Sequence, residues 1–243
     1  MGLEGKTALV TGGGSGIGLG VALALAREGC RVAISSRDAD KLRRAAAAHP
    51  GSPPILTRPC DVADRADTGR LAAWALRELG HLDILVHSAG INIARRKMAD
   101  LDPADFDRVL AVNCTGFYNM LCAVLPDMRR RRAGLIVSIS SIAGKRALPL
   151  AGPAYCASKF AATALATAVG LEERANGIRI TNLCPGEVDT PILEQRPVPV
   201  PAERRAQMLH PEDIAACVVA IAKLPPNVLV PEVILTPLYQ EYL

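Results

Sequence analysis

Short, continuously apolar runs alternate along the chain with longer stretches in which apolar residues recur at helical spacing. The runs are typical of strands buried on both faces of a parallel sheet, and the longer stretches predict amphipathic helices. This alternation predicts an α/β fold, a doubly wound parallel sheet with helices on both faces. The predicted strands are 6–11, 31–36, 54–60, 82–87, 134–140 and 179–184, and the predicted helices are a stretch ending near 28, then 39–48, 63–79, 103–132 and 153–176.

A glycine-rich segment, Thr11–Gly18, joins the first predicted strand to the first predicted helix. Strand, glycine turn and helix together form the context in which a dinucleotide is bound. The glycines allow close approach of the backbone, and the N-terminus of the helix presents free amides and a positive dipole to a pyrophosphate. The alternative is an ordinary glycine-rich turn between a strand and a helix.

The ends of the second and third predicted strands indicate which dinucleotide is bound. Ser36 is small and neutral and Arg37 follows it, which favours a 2′-phosphate and therefore NADP(H) over NAD(H). In the alternative interpretation, Arg37 lies in a solvated turn and Asp38 caps the next helix. Asp61, followed by Val62, ends the third strand, where its carboxylate could accept a hydrogen bond from an adenine amino group.

Tyr155 and Lys159 lie one turn apart on the same face of a predicted helix. A phenol has a pKa of about 10 in water, and a neighbouring ammonium group favours the phenolate. The pair is therefore suited to moving a proton on or off an alcohol oxygen, although a lone Tyr-x-x-x-Lys is a weak motif.

Composition restricts the function further. The 243 residues suit one large domain, expected to span 1–243, and the net charge of +4 does not indicate nucleic-acid binding. The seven cysteines are scattered without a Cys-x-x-C pair, which predicts buried thiols in a reducing compartment and no zinc site. Residues 1–6 do not resemble a secretion signal, and the weakly polar run 151–171 contains Lys159. We therefore expect a cytoplasmic protein with no membrane or nucleic-acid partner and no metal.

Taken together, these motifs resemble the short-chain dehydrogenase/reductase family over about residues 5–225. The resemblance implies a Rossmann fold with seven parallel strands and a hydride passed between nicotinamide C4 and a carbonyl or alcohol carbon. It also implies a dimer or tetramer formed through helices 103–132 and 153–176. The motifs that carry it, in chain order, are Thr11–Gly18, Asp61, Ala89-Gly90, Asn113, Ser141, Tyr155, Lys159 and the segment Pro185-Gly186 to Thr190.

The resemblance also implies individual roles. Tyr155 would be the general acid/base, and Lys159 would lower the pKa of Tyr155 and bind the nicotinamide ribose. Ser141 would hydrogen-bond the substrate oxygen, and Asn113 would hold a water linking Lys159 to solvent. The expected cofactor-binding residues are Gly12, Ser15, Gly16, Ile17, Gly18, Ser36, Arg37, Asp61, Val62, Ser88, Ala89, Gly90, Asn113, Tyr155, Lys159, Pro185, Gly186, Val188 and Thr190.

Three positions depart from the family pattern. His87-Ser88 stands where the family usually has Asn-Asn, which affects the hydrogen bonds expected around the fourth strand. Ser15 stands where many NADP-preferring members have a basic residue, so the NADP assignment depends on Arg37. The tail 235–243 lacks the frequent Gly-Gly ending, and we hypothesise that it packs across a subunit interface.

The substrate is expected to be a small ketone or secondary alcohol. The proline-rich segment 187–210 predicts a substrate lid, the alternative being a disordered surface loop. The segment 145–152 would form the other wall, with Leu148 and Leu150 as apolar members and Arg146 able to meet an anion.

The sequence leaves two alternatives to a small-molecule oxidoreductase open. A basic rim at 95–97 favours an alternative substrate, a 3-oxoacyl thioester of an acyl carrier protein or coenzyme A. A non-catalytic nucleotide-binding module is a further alternative, although Asn113, Ser141, Tyr155 and Lys159 are all present. The spacing of Gly12, Gly16 and Gly18 differs from that usual in related epimerases.

Overall fold

The computed structural model describes residues 2–242, which form a seven-stranded sheet covered by helices. The strands are β1 Thr7–Thr11, β2 Arg31–Ser36, β3 Leu56–Pro59, β4 Ile84–His87, β5 Gly134–Ile139, β6 Ile178–Pro185 and β7 Glu232–Leu235. The helices are α1 Gly16–Arg27, α2 Ala39–Ala47, α3 Arg65–Leu79, α4 Pro103–Leu110, α5 Gly116–Arg131, α6 Pro153–Glu173, α7 Ala202–Arg205 and α8 Pro211–Lys223.

The strands lie in the order β3-β2-β1-β4-β5-β6-β7, and every neighbouring pair is parallel. The chain moves outward from β1 to β3 and then returns to place β4 on the other side of β1. This reversal creates a crevice outside the carboxyl ends of β1 and β4, where ligands bind in doubly wound sheets. The predicted Rossmann-type fold is confirmed.

Helices cover the sheet on both faces because successive side chains of a strand point to opposite sides. Val10 of β1 lies in a core cluster with Val21 of α1 and Val218 of α8. Its neighbour Leu9 lies in the opposite cluster with Phe117 of α5. Both layers are apolar, so the central strands are fixed from both sides and their carboxyl ends are held at one edge.

The helix predicted at 103–132 is divided into α4 and α5 by a π-helical turn, Ala111–Thr115. The apolar pattern continues through this turn and therefore did not reveal it. The turn carries Asn113, which is buried against the loop after β4. The other predicted strands and helices agree with the structure to within two residues at most ends.

His87 ends β4 and keeps that strand linked to β1. Its Nδ1 atom lies 3.0 Å from Oγ1 of Thr11, which also accepts a hydrogen bond from the Ala89 amide. Burial lowers the pKa of His87 to about 3, so the imidazole is neutral at physiological pH. His87-Ser88 stands where the family usually has Asn-Asn, and the neutral histidine still forms a hydrogen bond from β4 to β1.

Two helical stretches, Pro103–Arg131 and Pro153–Asn176, are long and apolar enough to cross a bilayer by length and composition. In this structure 56% and 44% of their most apolar windows are buried within the fold. Core helices of globular domains are also long and apolar, so length and composition alone do not distinguish a core helix from a membrane span.

Phe117 supports the end of β4 and provides a test of this packing. The side chain is fully buried and its ring centre lies 5.1 Å from that of His87. Replacing Phe117 by Ala should lower the free energy of unfolding by about 3–5 kcal/mol, because a large cavity is left. Urea denaturation measures the loss, and Met98→Ala, at a side chain 78% exposed, is the control. Equal stabilities of the two variants would contradict this packing.

Candidate active site

The carboxyl ends of the strands border a cleft of about 990 Å³. Most predicted site residues line it, although they come from seven separate segments of the chain. Those that line it are Gly12, Ser15, Gly16, Ile17, Ser36, Arg37, Asp61, Val62, Ser88, Ala89, Gly90, Ser141, Tyr155, Lys159, Pro185, Gly186, Val188 and Thr190. The two exceptions are Gly18 and Asn113, which lie behind the lining and support it.

The glycine turn is shaped so closely that side chains would not fit. Gly12 has φ +69°, and a Cβ there would lie 2.8 Å from the backbone of Ser88 and Ala89. A Cβ on Gly18 would lie 2.4 Å from the Gly12 carbonyl oxygen, so Gly18 is required for packing of the turn. Ser15 precedes α1 without capping it by its side chain. The free amides of the first helical turn border the cleft and fit a pyrophosphate.

Two cations lie at the end of β2. Arg37 is exposed and Lys41 of α2 is half-buried, and both line the cleft. Neither forms an ion pair with a carboxylate in residues 2–242, so both charges are available to a ligand. Asp38 caps α2 by accepting a hydrogen bond from the Lys41 amide at 2.9 Å, as the alternative interpretation expected. The sequence interpretation missed Lys41 because it lies inside a helix, away from the strand end.

Asp61 follows β3 at the same edge. Its Oδ1 accepts a hydrogen bond from the Ala63 amide at 3.0 Å. Its Oδ2 has no donor within the described part of the chain, and the residue lines the cleft. This oxygen remains available for the predicted contact with an adenine amino group.

Tyr155, Ser141 and Lys159 meet at the centre of the cleft. Ser141 follows β5 and its Oγ accepts a hydrogen bond from the Ala143 amide at 3.1 Å. Lys159 is 6% exposed, its Nζ donates to the Ile139 carbonyl at 2.9 Å, and it lies 5.6 Å from the Tyr155 ring centre. The lysine is therefore fixed by the last carbonyl of β5 and does not reach the ring through a direct hydrogen bond.

Burial shifts the pKa values of Tyr155 and Lys159 in opposite directions. Loss of water around the ring raises the pKa of Tyr155 to about 12, although the nearby Ser141 hydroxyl and the charge of Arg96 oppose the rise. Burial lowers the pKa of Lys159 to about 8. Desolvation is the largest effect on the Tyr155 pKa, and the lowering of that pKa by Lys159 stays a prediction.

Asn113 forms hydrogen bonds with the loop after β4. Its Oδ1 accepts from the Ile91 amide at 2.8 Å, and its Nδ2 donates to the Ile91 carbonyl at 2.9 Å and to Ser158 Oγ at 3.0 Å. A Cβ on Gly90 would lie 3.5 Å from both Asn113 Oδ1 and Lys159 Nζ. Asn113 thus joins this loop to α6 beside Lys159, and the water-holding role stays a prediction.

The substrate walls differ from the expectation at two arginines. Leu148 and Leu150 line the cleft as predicted, but Arg146 lies over the Tyr242 ring at 5.1 Å, outside the lining. Arg96 does not belong to an exposed rim, because it is buried and lines the cleft. Only Arg95 and Lys97 of the predicted basic rim are exposed.

The segment 187–210 folds over the cleft, and its role as a lid stays a prediction. It contains a 3-10 turn, Pro191–Gln195, and the short helix α7. Glu187 organises it: its carboxylate accepts hydrogen bonds from Arg196 and Arg204, each at 2.8 Å, and from the Tyr239 hydroxyl at 2.5 Å. The sequence interpretation missed this carboxylate because no local pattern shows that Arg196, Arg204 and Tyr239 meet at one acidic side chain.

The C-terminal tail closes one end of the cleft within the same chain. Oε1 of Gln240 accepts a hydrogen bond from the Glu187 amide at 2.9 Å, and Gln240 lines the cleft. Tyr239 contacts Arg204 and Glu187. Leu238 is fully exposed, and the hypothesis that the tail packs across a subunit interface stays a prediction. Leu243 lies outside the described residues.

The depressed pKa of Lys159 gives a stability prediction. Between about pH 8 and pH 10 the unfolded chain binds more protons than the folded one at this residue, so stability rises with pH in that window. Relative to Lys159→Met, which carries no charge, the wild type should gain about 2 kcal/mol of unfolding free energy between about pH 7 and 9.5. Urea denaturation at both pH values measures it. Lys97 is exposed, so the wild type should show no such gain relative to Lys97→Met. If it also showed none relative to Lys159→Met, the depressed pKa of Lys159 would be refuted.

Comparison with known proteins places this cleft in a family. The family model described as short chain dehydrogenase matches residues 6–198. The bovine (Bos taurus) L-fucose dehydrogenase is 31% identical over 229 residues, covering 90% of this chain and 83% of that protein. The glycine betaine reductase ATRR of Emericella nidulans is 37% identical over 97% of this chain, which spans only 19% of that protein.

Solved structures give the same result. An alcohol dehydrogenase from the archaeon Thermococcus sibiricus, complexed with 5-hydroxy-NADP, is 30% identical with a TM-score of 0.87 and 98% coverage of both chains. A metagenomic short-chain oxidoreductase in complex with NADP is 29% identical with a TM-score of 0.84, covering 99% of this chain and 100% of that one. The chain therefore belongs to the short-chain dehydrogenase family and is an NAD(P)-dependent oxidoreductase.

Proposed function

We propose that the chain transfers a hydride between NADP(H) and a ketone or secondary alcohol, with Tyr155 as the general acid/base. The convergence of Tyr155, Ser141 and Lys159 beside the glycine turn carries this proposal. A bound nicotinamide supplies the hydride chemistry, and the chain supplies position and a proton. The glycine turn, Asp61 and the segment from Pro185 to Thr190 would hold the cofactor.

The side chains of the cleft suit the reduction of a carbonyl. At physiological pH the raised pKa of Tyr155 keeps its hydroxyl protonated, so the phenol is able to donate to a developing alkoxide. Ser141 is the second hydroxyl beside that oxygen and stabilises its charge by a hydrogen bond. Lys159, fixed by the Ile139 carbonyl, places a cation next to both groups.

The preference for NADP(H) is supported by the two free cations beside Ser36. Arg37 and Lys41 have no carboxylate partner among residues 2–242, and Ser36, which lines the cleft with them, is small and neutral. A 2′-phosphate would provide the missing anion, whereas a ribose hydroxyl would leave both charges without one. The two similar structures reported above contain NADP or a derivative of it.

Arg37→Ala tests this preference. We expect the KM for NADPH to rise about 10- to 100-fold, the effect of losing one hydrogen bond to a charged group, while the KM for NADH stays within about threefold. Steady-state rates with each cofactor measure the ratio. Arg43→Ala removes an exposed arginine nearby, on α2, and should leave the ratio unchanged. Equal changes for NADPH and NADH in Arg37→Ala would contradict the phosphate contact.

A panel of carbonyl compounds and alcohols with reduced and oxidised cofactors tests the reaction itself. The wild type should change the absorbance of the reduced nicotinamide with at least one ketone or secondary alcohol. Tyr155→Phe should lower kcat by about 10²- to 10⁴-fold because the proton donor is lost. Tyr118→Phe, at an exposed tyrosine, should retain activity. Full activity of Tyr155→Phe would overturn the proposal.

The same panel decides between the alternatives. A 3-oxoacyl thioester such as acetoacetyl-CoA belongs in it, because Arg95 and Lys97 remain exposed beside the cleft. A strong preference for the thioester over free ketones would favour that alternative. Turnover of none of the compounds, with NADPH still bound, would favour a non-catalytic nucleotide-binding module.

Assembly and location are also part of the proposal. We propose a single domain over 1–243 with a lid at 187–210, in a cytoplasmic homo-oligomer. Large apolar side chains exposed on α5 and α6, namely Tyr118, Phe160 and Leu171, support a helix-to-helix interface. The free cysteines suit a reducing compartment. Sedimentation as a monomer at micromolar concentration, or secretion of the native protein, would contradict these points.

A further inference from the structure

Arg96 is a buried cation beside the reacting groups, and no carboxylate among residues 2–242 forms an ion pair with it. It is 7% exposed and lines the cleft together with Tyr155. One terminal nitrogen donates to the Leu150 carbonyl at 3.2 Å, and the other donates to the Gln195 carbonyl. Its Nε is shielded from water and has no acceptor. Because carbonyl oxygens do not neutralise a guanidinium, the site is electrostatically incomplete.

The surroundings of Arg96 add positive charge. Burial lowers the pKa of Arg96, and the positive charge of Arg196 lowers it further. Arg196 and Arg204 both pair with Glu187, so that single carboxylate is already shared and does not serve Arg96. The other acidic side chain of this wall, Glu194, is exposed at the surface. The wall thus carries three guanidinium groups, and its buried carboxylate, Glu187, is already paired with two of them.

A second cavity adjoins the cleft at the same place. Its volume is about 380 Å³, and it shares Arg96, Leu150 and Arg196 with the cleft. Its remaining lining is basic or apolar and includes no acidic side chain: Lys97, Pro149, Pro197, Val198, Pro199, Val200, Pro201 and Arg204. A cavity of this composition fits a ligand that has both an apolar part and a negative charge.

We infer that the substrate is a ketone or secondary alcohol that also carries an oxyanion, and that Arg96 binds the oxyanion while Tyr155 and Ser141 hold the reacting oxygen. This inference rests on the proposed function and adds a substrate class to it. The oxyanion would enter against the guanidinium of Arg96, with Arg196 as the second cation. Arg96 also joins the two walls of the cleft, so binding of the anion would fix the lid segment around the substrate.

Matched pairs of substrates test this inference. The 3-, 4- and 5-oxo acids of four to six carbons are compared with their methyl esters, and dihydroxyacetone phosphate with dihydroxyacetone. Each oxo acid differs from its ester in charge at similar shape, whereas dihydroxyacetone lacks the phosphoryl group altogether. The series of oxo acids varies the distance from carbonyl to anion. With the wild type and NADPH, we expect kcat/KM for the charged member to exceed that of the neutral one at least tenfold in one pair or more. Comparison of the oxo acids with dihydroxyacetone phosphate shows whether the preferred oxyanion is a carboxylate or a phosphate.

Arg96→Gln then separates binding from support of the lid. A binding role predicts that the variant loses at least tenfold more kcat/KM for the preferred anion than for its neutral partner, mostly through KM. A merely structural role predicts equal losses for both members. Arg95→Gln, at the exposed neighbouring arginine, should keep the wild-type ratio.

A measurement on the wild type alone covers the case in which Arg96→Gln does not fold. Pentanoate should inhibit reduction of a neutral ketone competitively and at least tenfold more strongly than pentanamide. Reduction of neutral ketones with no preference for charge, or equal inhibition by pentanoate and pentanamide, would overturn the inference and leave the proposed function intact. Failure to reduce any carbonyl compound would overturn both.

Discussion

The site depends on the burial of one ammonium group at the carboxyl edge of the sheet. Lys159 lies on α6, and the Ile139 carbonyl at the end of β5 compensates part of the cost of removing its charge from water. This hydrogen bond acts together with those that join Thr163 of α6 to Ser140 and to Asn182. These contacts hold α6 against the carboxyl edge of the sheet, with Tyr155 one turn before Lys159 and in the same cleft as Ser141 and the glycine turn.

This arrangement has an electrostatic consequence for the direction of catalysis. The surroundings that bury Lys159 also desolvate Tyr155 and raise its pKa to about 12, against the opposing effects of Ser141 and Arg96. A protonated phenol suits the reduction of a carbonyl, whereas the oxidation of an alcohol needs the phenolate. Additional positive charge is required before Tyr155 can act as a base near neutral pH. Bound oxidised nicotinamide is a cation that could provide it.

Local patterns determined what was predictable from the sequence. The continuous apolar strands and the glycine turn fixed the fold, because burial on both faces and close backbone approach restrict residue type strongly. The π-turn at Asn113 was not predictable, since one additional residue in a helix leaves the apolar pattern nearly unchanged. The interior position of Arg96 depends on carbonyl groups 54 and 99 residues away, those of Leu150 and Gln195. The role of Glu187 depends on side chains 9 to 52 residues away, the last of them that of Tyr239. Charge alone had placed Arg96 on the surface.

The most direct test of this account is the ionisation of Tyr155, followed by the ultraviolet difference between the wild type and Tyr155→Phe. The sequence contains only four tyrosines, so the contribution of one is resolvable. Without cofactor, the account predicts no ionisation of Tyr155 below about pH 10.5; with saturating NADP⁺, it predicts a pKa at least about two units lower than that of the free protein. A tyrosine that already ionises near neutral pH without cofactor, or that does not respond to NADP⁺, would contradict it.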